Sequence, residues 1–374
     1  MLLLRLEEVW LYIRNFPDVI VFFQRAAKRF NVSGLVIWKR AIVLYLRYSL
    51  GPYDALESGL INPDVPLEEV RGSIGRGPST RHQLRFSPRQ WQCLSTDKAV
   101  FYAYCKAVGL PVPKLYAILD KNVGWTASSR VISERIEWER FFENDLPQEF
   151  IIKPALGGEG HGVNLYRRAG ALFQDSSDQT FSAASLYERL QTDSTYTRFV
   201  IQERVFNHPE IQRLTGTQSL QTVRILTWIT KDGQVEIYDA WLKLIVGNNI
   251  IDNYEGGRTG NMKAELDVDS GAIVAVLGAS PDGIGFEVLP VHPVTGINIP
   301  GTVLPDWPSF RQLVDRAAHL LFPLRTIGWD VALTGDGPVL IEGNIWWNAL
   351  NQPHWSEPRR RQRARFMSRF TKEP

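Results

Sequence analysis

The sequence has two cysteines in 374 residues, no long apolar run and a formal net charge of only +2. Each scarcity removes a class of function. Cys93 and Cys105 fall in what reads as a single helix and form no CxxC pair, which argues against a structural metal and for a reducing compartment. No stretch reaches the roughly 20 apolar residues of a membrane-spanning helix. The opening MLLLRLEEVW sets charges where a signal peptide needs a continuous apolar core. The expectation is therefore a cytoplasmic protein. Near-zero net charge gives no case for nucleic acid as a partner. No Ser/His/Asp or Cys/His nucleophile pattern stands out either.

What is present is ordinary in bulk and uneven in detail. Hydrophobic content of 44% and charged content of 22% suit a globular chain, and the length suggests two or three domains at roughly 150 residues each. Residues 1–50 carry eight basic and three acidic side chains, and the end RRRQRARFMSRFTK is strongly basic. Such ends are most often solvated helix faces, although they leave peripheral contact with an anionic membrane surface open. Helical spacing of Leu6, Val9, Trp10, Ile13 and then Val19, Phe22, Phe23, Ala26 predicts helices that pack on the protein's own body.

Glycine, proline and arginine crowd residues 51–90, which reads as a linker or long loops. Ser95-Thr96-Asp97 reads as a helix start, with Gly109 as the stop. From 150 to 300 the pattern is mainly β, with candidate strands FIIKP, GVNLYRR, FVIQERV, TVRILTWIT and QVEIYDAWLKLIV. A helix, DRAAHLLFPL, precedes a last strand pair, GWDVALT and PVLIEGN. This order predicts an α+β fold in preference to an alternating parallel sheet.

Two motifs carry chemistry. In FIIKPALGGEGHGV (150–163) a strand ends in Lys153-Pro154, and four glycines follow within six residues. Glycines let backbone N–H groups approach phosphate oxygens without interference from Cβ, but the same composition also makes a plain turn. There is no GK[ST], so this is no Walker A loop, and a strand follows where a Rossmann loop needs a helix. No HRD or DFG equivalent supports a protein-kinase fold.

The second motif is GWDVALTGDGPVLIEGN. If Gly335-Asp336 centres the turn, Asp330 faces Glu342 or its neighbour Ile341, and Asn344 projects from the same face as Glu342. Two carboxylates and an amide in one place suit Mg²⁺.

A lysine before a glycine-rich hairpin, a later QER strand and an Asp…Glu-x-Asn hairpin resemble, in that order, the ATP-grasp enzymes. STDK, QSLQTVRILTWIT, IIDNYEGGRTGN, LDVDSGAIV, HPVTG and IGWDVALTGDGPVLIEGN are similar to the sugar-transfer-associated ATP-grasp family, relatives of α-L-glutamate ligases. The resemblance covers roughly residues 50–353. It implies an ATP-grasp fold of two α+β subdomains gripping ATP, preceded by a helical N-terminal region. The expected divisions are 1–50 (helical region), 51–149 (linker and first ATP-grasp part), 150–353 (ATP-grasp core) and 354–374 (basic tail).

The resemblance also implies roles. Lys98 and Lys153 would meet phosphates, under a loop formed by Gly158, Gly160 and Gly162. Glu203 and Val205 would hold adenine, and Glu210 the ribose, with His208 a competitor for that role. Asp330, Glu342 and Asn344 would hold Mg²⁺. Arg224 and Lys243, charges inside apolar strands, need anionic partners. The resemblance offers the γ-phosphate and an acyl phosphate, and a structural salt bridge is the alternative. Asp252, Asn253, Gly256, Gly257 and Arg258 would flank an acceptor site. Trp346 and Trp347 would either stack on a substrate or cap the core. His161 reads as a solvent-facing turn residue.

The implied function is an ATP-dependent ligase that joins a small-molecule carboxylate to an amine or other nucleophile through an acyl phosphate. A phosphotransferase using the same ATP site, or a nucleotide-binding accessory protein, are the alternatives.

Overall fold

The period-two patterns between 115 and 344 build two antiparallel sheets. The computed structural model describes residues 16–121, 123–158, 160–254, 259–347 and 355–373. Helices α1 (Phe16–Arg29), α2 (Gly34–Tyr48), α3 (Pro52–Glu57), α4 (Arg76–Phe86), α5 (Cys93–Thr96) and α6 (Lys98–Ala107) come first.

The first sheet contains β1 (Leu115–Asp120), β2 (Gly124–Thr126), β3 (Val131–Ile132), β4 (Glu149–Pro154), β5 (Asn164–Ala169), β6 (Leu172–Asp175), β7 (Thr180–Phe181) and β8 (Arg198–Glu203). Their order is β3-β2-β1-β8-β4-β5-β6-β7. Helices α7 (Arg135–Asn144) and α8 (Ala183–Gln191) cover it, packing Trp138, Phe142 and Leu186 against Phe150, Tyr166 and Phe173.

After the short helix α9 (Pro209–Thr215), the second sheet is built from β9 (Thr222–Ile229), β10 (Val235–Leu244), β11 (Met262–Leu266), β12 (Ile273–Ala279), β13 (Phe286–Val288), β14 (Thr326–Thr334) and β15 (Gly337–Asn344). Its order is β13-β12-β11-β10-β9-β14-β15. Two more helices, α10 (Trp307–Leu320) and α11 (Glu357–Lys372), pack against its two faces.

Strand β9 shows how alternation sorts the faces. Val223, Ile225 and Ile229 join the cluster with Phe310, Val314 and Ala317 of α10, whereas Leu226 and Trp228 join Phe366, Met367 and Phe370 of α11. Arg224 shares the parity of Leu226 and Trp228.

Three expectations are corrected. Residues 51–90, read as linker and loops, contain α3 and α4, because their Gly and Pro start helices instead of breaking them. Pro52 sits in the first turn of α3, where the missing N–H costs nothing. Gly75 caps α4 so close to the Ser49 carbonyl that a Cβ would lie 2.0 Å from its oxygen.

The basic end is a packed helix and not a solvated face. Burial of Phe366, Met367 and Phe370 contributes about 1.5–3 kcal/mol each. Several of its arginines pair with carboxylates elsewhere in the fold, with Arg363 2.9 Å from Asp239, Arg359 3.3 Å from both Asp239 and Glu265, and Arg360 3.3 Å from Glu69. Cys93 and Cys105 lie in different helices, separated at Asp97, whose side chain caps α6 through the N–H groups of Ala99 and Val100. The helical spacing at Leu6–Ile13 lies outside the described residues. Val19, Phe23 and Ala26 are buried as their spacing requires.

Candidate active site

A cleft of about 1160 Å³ is lined from both sheets and from the N-terminal helices. Period two on β4 puts Phe150 and Ile152 in the core of the first sheet and turns Ile151 and Lys153 toward the cleft. Lys153 is buried, and its ammonium donates a hydrogen bond of 2.7 Å to the Tyr102 hydroxyl, which donates in turn to the Ile341 carbonyl. No carboxylate is paired with it among the described residues. Burial, then repulsion from Lys98, pulls its pKa from 10.5 down to about 7.

Lys98 stands beside it at the start of α6. Its ammonium donates to the Gly157 carbonyl at 2.8 Å and lies 3.6 Å from Glu342. The Lys98 N–H donates to the Ala155 carbonyl, so the helix start is tied to the segment that leaves β4. The glycine loop connects β4 and β5, which pair antiparallel, and Gly158 and Gly160 line the cleft. Gly162 does not line it. It serves the turn, with φ of +74° and no room for a Cβ, which would sit 2.8 Å from Pro154. His161, expected at a solvent-facing tip, is exposed but also lines the cleft.

The hairpin β14–β15 joins this wall. Thr334 faces Gly337 at the turn, and Asp330 faces Glu342 beyond a bulge that absorbs Ile341. Asn344 follows on the same side, and its amide reaches Glu342 at 3.2 Å and Asp330 at 3.4 Å. The three predicted metal ligands are thus together. Among the described residues no trio of His, Cys, Asp and Glu stands where it could hold a metal.

Asp330 already has cationic partners. Arg224 grips it with two nitrogens, and Lys243 donates to it at 2.9 Å. Burial alone would raise the Asp330 carboxyl, but Arg224 and then Lys243 overcome it and hold it well below the usual range. Lys243 also lies 3.5 Å from Asp252, which accepts from the Thr222 N–H and hydroxyl. The salt-bridge alternative for Arg224 and Lys243 is what this structure contains. Both still line the cleft, as do Asp252 and Asn253.

Other predicted residues separate. Val205 lines the cleft, whereas Glu203 and Glu210 do not. The Glu203 carboxylate accepts the Lys114 N–H at the edge of β8, and Glu210 pairs with Arg213 one turn along α9. His208 caps that helix through the Glu210 N–H. Trp346 and Trp347 both line the cleft, Trp346 44% exposed. Trp347 is buried, donating to Thr326 and packing on Tyr238 and Phe370. Gly256, Gly257 and Arg258 lie outside the described residues.

Two residues were missed. Tyr102, buried behind the cleft wall where it accepts from Lys153, looks in sequence like any apolar-face aromatic. Gln202 lines the cleft with its Oε1 buried and without a hydrogen-bond partner, and the adjacent Glu203 drew the assignment instead.

A family model described as sugar-transfer associated ATP-grasp matches residues 78–353, well over half of the chain. The chain belongs to the sugar-transfer associated ATP-grasp family. Its paired antiparallel sheets with flanking helices are the ATP-grasp architecture. No curated protein sequence matches this ATP-grasp chain.

Solved structures similar to it include D-alanyl-alanine synthetase A from Vibrio cholerae, 13% identical over 75% of this chain and 65% of that one, TM-score 0.41. A RimK domain protein from Sphaerobacter thermophilus is 13% identical over 75% and 68%, TM-score 0.38. The ADP complex of N5-carboxyaminoimidazole ribonucleotide synthetase is 11% identical over 68% and 45%, TM-score 0.36. The ATP-grasp chain thus spans less than two thirds of the length of the first and third of these.

Proposed function

We propose that this ATP-grasp protein is an ATP- and Mg²⁺-dependent ligase that activates a small-molecule carboxylate and passes its acyl group to an amine or other nucleophile. The observation that carries the reading is the Lys153 ammonium, buried on the cleft wall without a carboxylate partner, beside Lys98 and under the glycine loop. Leaving such a charge uncompensated costs several kcal/mol, and the phosphates of a bound nucleotide offset that cost.

ATP lies along this wall in the proposal, its phosphates on Lys98, Lys153 and the N–H groups around Gly158 and Gly160. Val205 and the unsatisfied Gln202 Oε1 offer the base an apolar surface and an acceptor. The hard-oxygen set Asp330, Glu342 and Asn344 fits Mg²⁺, with Glu342 the freer carboxylate because its one ion pair among the described residues is with Lys98 at 3.6 Å. When bound there, the metal would neutralise phosphate charge.

The chain's own residues do the rest. A substrate carboxylate oxygen attacks the γ-phosphorus and the bond to the β-phosphate oxygen breaks, giving ADP and an acyl phosphate. Arg224 and Lys243, at the same end of the cleft, stabilise the negative charge that develops. The nucleophile then attacks the acyl carbon, inorganic phosphate leaves with the C–O electron pair, and the amine loses a proton to solvent. Trp346 and Asp252 border the space left for the acceptor.

The test supplies ATP, Mg²⁺ and panels of carboxylic acids, with and without amines. ADP and inorganic phosphate appearing only when both are present, and a hydroxamate when hydroxylamine replaces the amine, are expected. ADP with a stable phosphorylated product and no free phosphate would establish a phosphotransferase instead. Glu342→Ala should abolish turnover, and unchanged turnover would remove Glu342 from the metal site.

A further inference from the structure

Helices α1 and α2 carry a surface that the cleft chemistry does not use. They turn Val19, Phe23 and Ala26, and Ile37, Ala41 and Leu44, into one shared core. At about 100° per residue, the face of α2 opposite its buried residues is Leu35, Lys39, Ile42 and Leu46. The outward face of a water-exposed helix is ordinarily polar. Here Leu35 is 72%, Ile42 52% and Leu46 75% exposed. The outward face of α1 carries Arg25 and Lys28 beside the exposed Val21.

Charge on this hairpin is strongly biased, with Asp18 in the first turn of α1 as its one acidic side chain among the described residues. Residues 19–53 contain six basic side chains and no acidic one. Arg29 is held by Asp282 and the Ile284 carbonyl, and Arg40 by the carbonyls of Leu60 and Val65. Arg25, Lys28, Lys39 and Arg47 remain exposed. In the basic C-terminal helix, by contrast, Arg359, Arg363 and Arg369 pair with carboxylates of the second sheet.

We propose that the α1–α2 hairpin docks this protein on an anionic phospholipid bilayer, with Leu35, Ile42 and Leu46 at the headgroup–acyl boundary and the four basic side chains on the phosphate headgroups. An apolar stripe flanked by Lys and Arg is the pattern that such surfaces bind. A second copy of the chain is disfavoured as the occupant, because two hairpins of the same charge would face each other. Docking is interfacial, since no helix among the described residues is long and apolar enough to cross a membrane. Phe22 of α1 lines the cleft, so the docked hairpin is itself part of the cleft wall.

Co-sedimentation of the full chain with phosphatidylcholine vesicles, with and without phosphatidylserine, tests the proposal. The protein should pellet only with phosphatidylserine, and less as salt rises. Lys39→Glu with Arg47→Glu should weaken binding by at least about 25-fold, taking roughly fivefold for each basic residue near an anionic surface. Leu35→Asn with Ile42→Asn and Leu46→Asn should leave the protein in the supernatant. Thermal unfolding of both variants should match the parent, because the changed side chains are exposed. A parent protein that stays in the supernatant overturns the proposal, as do variants that pellet equally well. So does a parent dimer that the triple variant converts to monomer without any vesicle binding. None of these readings depends on ATP turnover, so failure here is distinct from failure of the ligase reading.

Discussion

Replacing Lys153 by methionine should stabilise the protein while removing its affinity for ATP. Methionine keeps the buried apolar stem and deletes the ammonium. The gap between the ordinary 10.5 and about 7, at 1.36 kcal/mol per pH unit, sets a ceiling of about 5 kcal/mol on the cost of burying this charge. At pH 7 the folded group is half-protonated, which lowers the figure to about 4 kcal/mol. The lost hydrogen bond to Tyr102 takes back about 1 kcal/mol. A net gain of about 3 kcal/mol is therefore expected at pH 7, read as a higher urea midpoint at unchanged slope.

The pH dependence has a definite sign. Because the folded pKa is depressed, the cost is fully present below pH 7, fades between pH 7 and 10.5, and is absent above. The advantage of the variant should shrink through that window. ATP should reverse the ranking, since nucleotide at 1,000 times its Kd stabilises the parent by about 4.1 kcal/mol and the variant not at all. A variant less stable than the parent at pH 7, or a gap that stays flat between pH 7 and 10, would refute the idea that Lys153 is an uncompensated charge held for an anion.

The glycine loop should separate into two kinds of position. Gly162→Ala puts a Cβ 2.8 Å from Pro154 at a positive φ, and should cost about 1–2 kcal/mol for the backbone alone in thermal unfolding. Gly158→Ala meets nothing within 4 Å, so stability should hold while the KM for ATP rises. On the cleft-side face of the second sheet, under the C-terminal helix, Arg363→Leu leaves the buried Asp239 with Arg359 as its one cationic partner among the described residues. A loss of about 3 kcal/mol is expected, with partial recovery when Asp239→Asn is added, both measured by denaturant titration.

The parts legible in sequence were those fixed by neighbours along the chain. Strand alternation put Lys153 on the cleft side of β4. The Gly335-Asp336 turn set the register that brings Asp330 opposite Glu342, and Asp97 announced the start of α6. Each depends on a backbone period or on a side chain bonding a few residues away. Residues 51–90 misled because glycine and proline start helices as readily as they end them, and the difference lies in which carbonyl, such as that of Ser49, presses on Gly75. The basic C-terminal run misled for a related reason. Its arginines are solvated or paired according to whether Asp239, Glu236 and Glu265 lie beneath them, more than 90 residues away in sequence.

By itself, then, the sequence determined the β-rich core, the glycine turn and the acidic hairpin, because those follow from local periodicity. Tertiary structure alone decided that Tyr102 holds Lys153, that Glu203 and Glu210 turn away from the cleft, and that of the two tryptophans lining it Trp346 is exposed and Trp347 buried. It also decided that Arg224 and Lys243 meet on Asp330. A charge inside an apolar strand demands some partner, but only the packing of β9, β10 and β14 side by side selects which one.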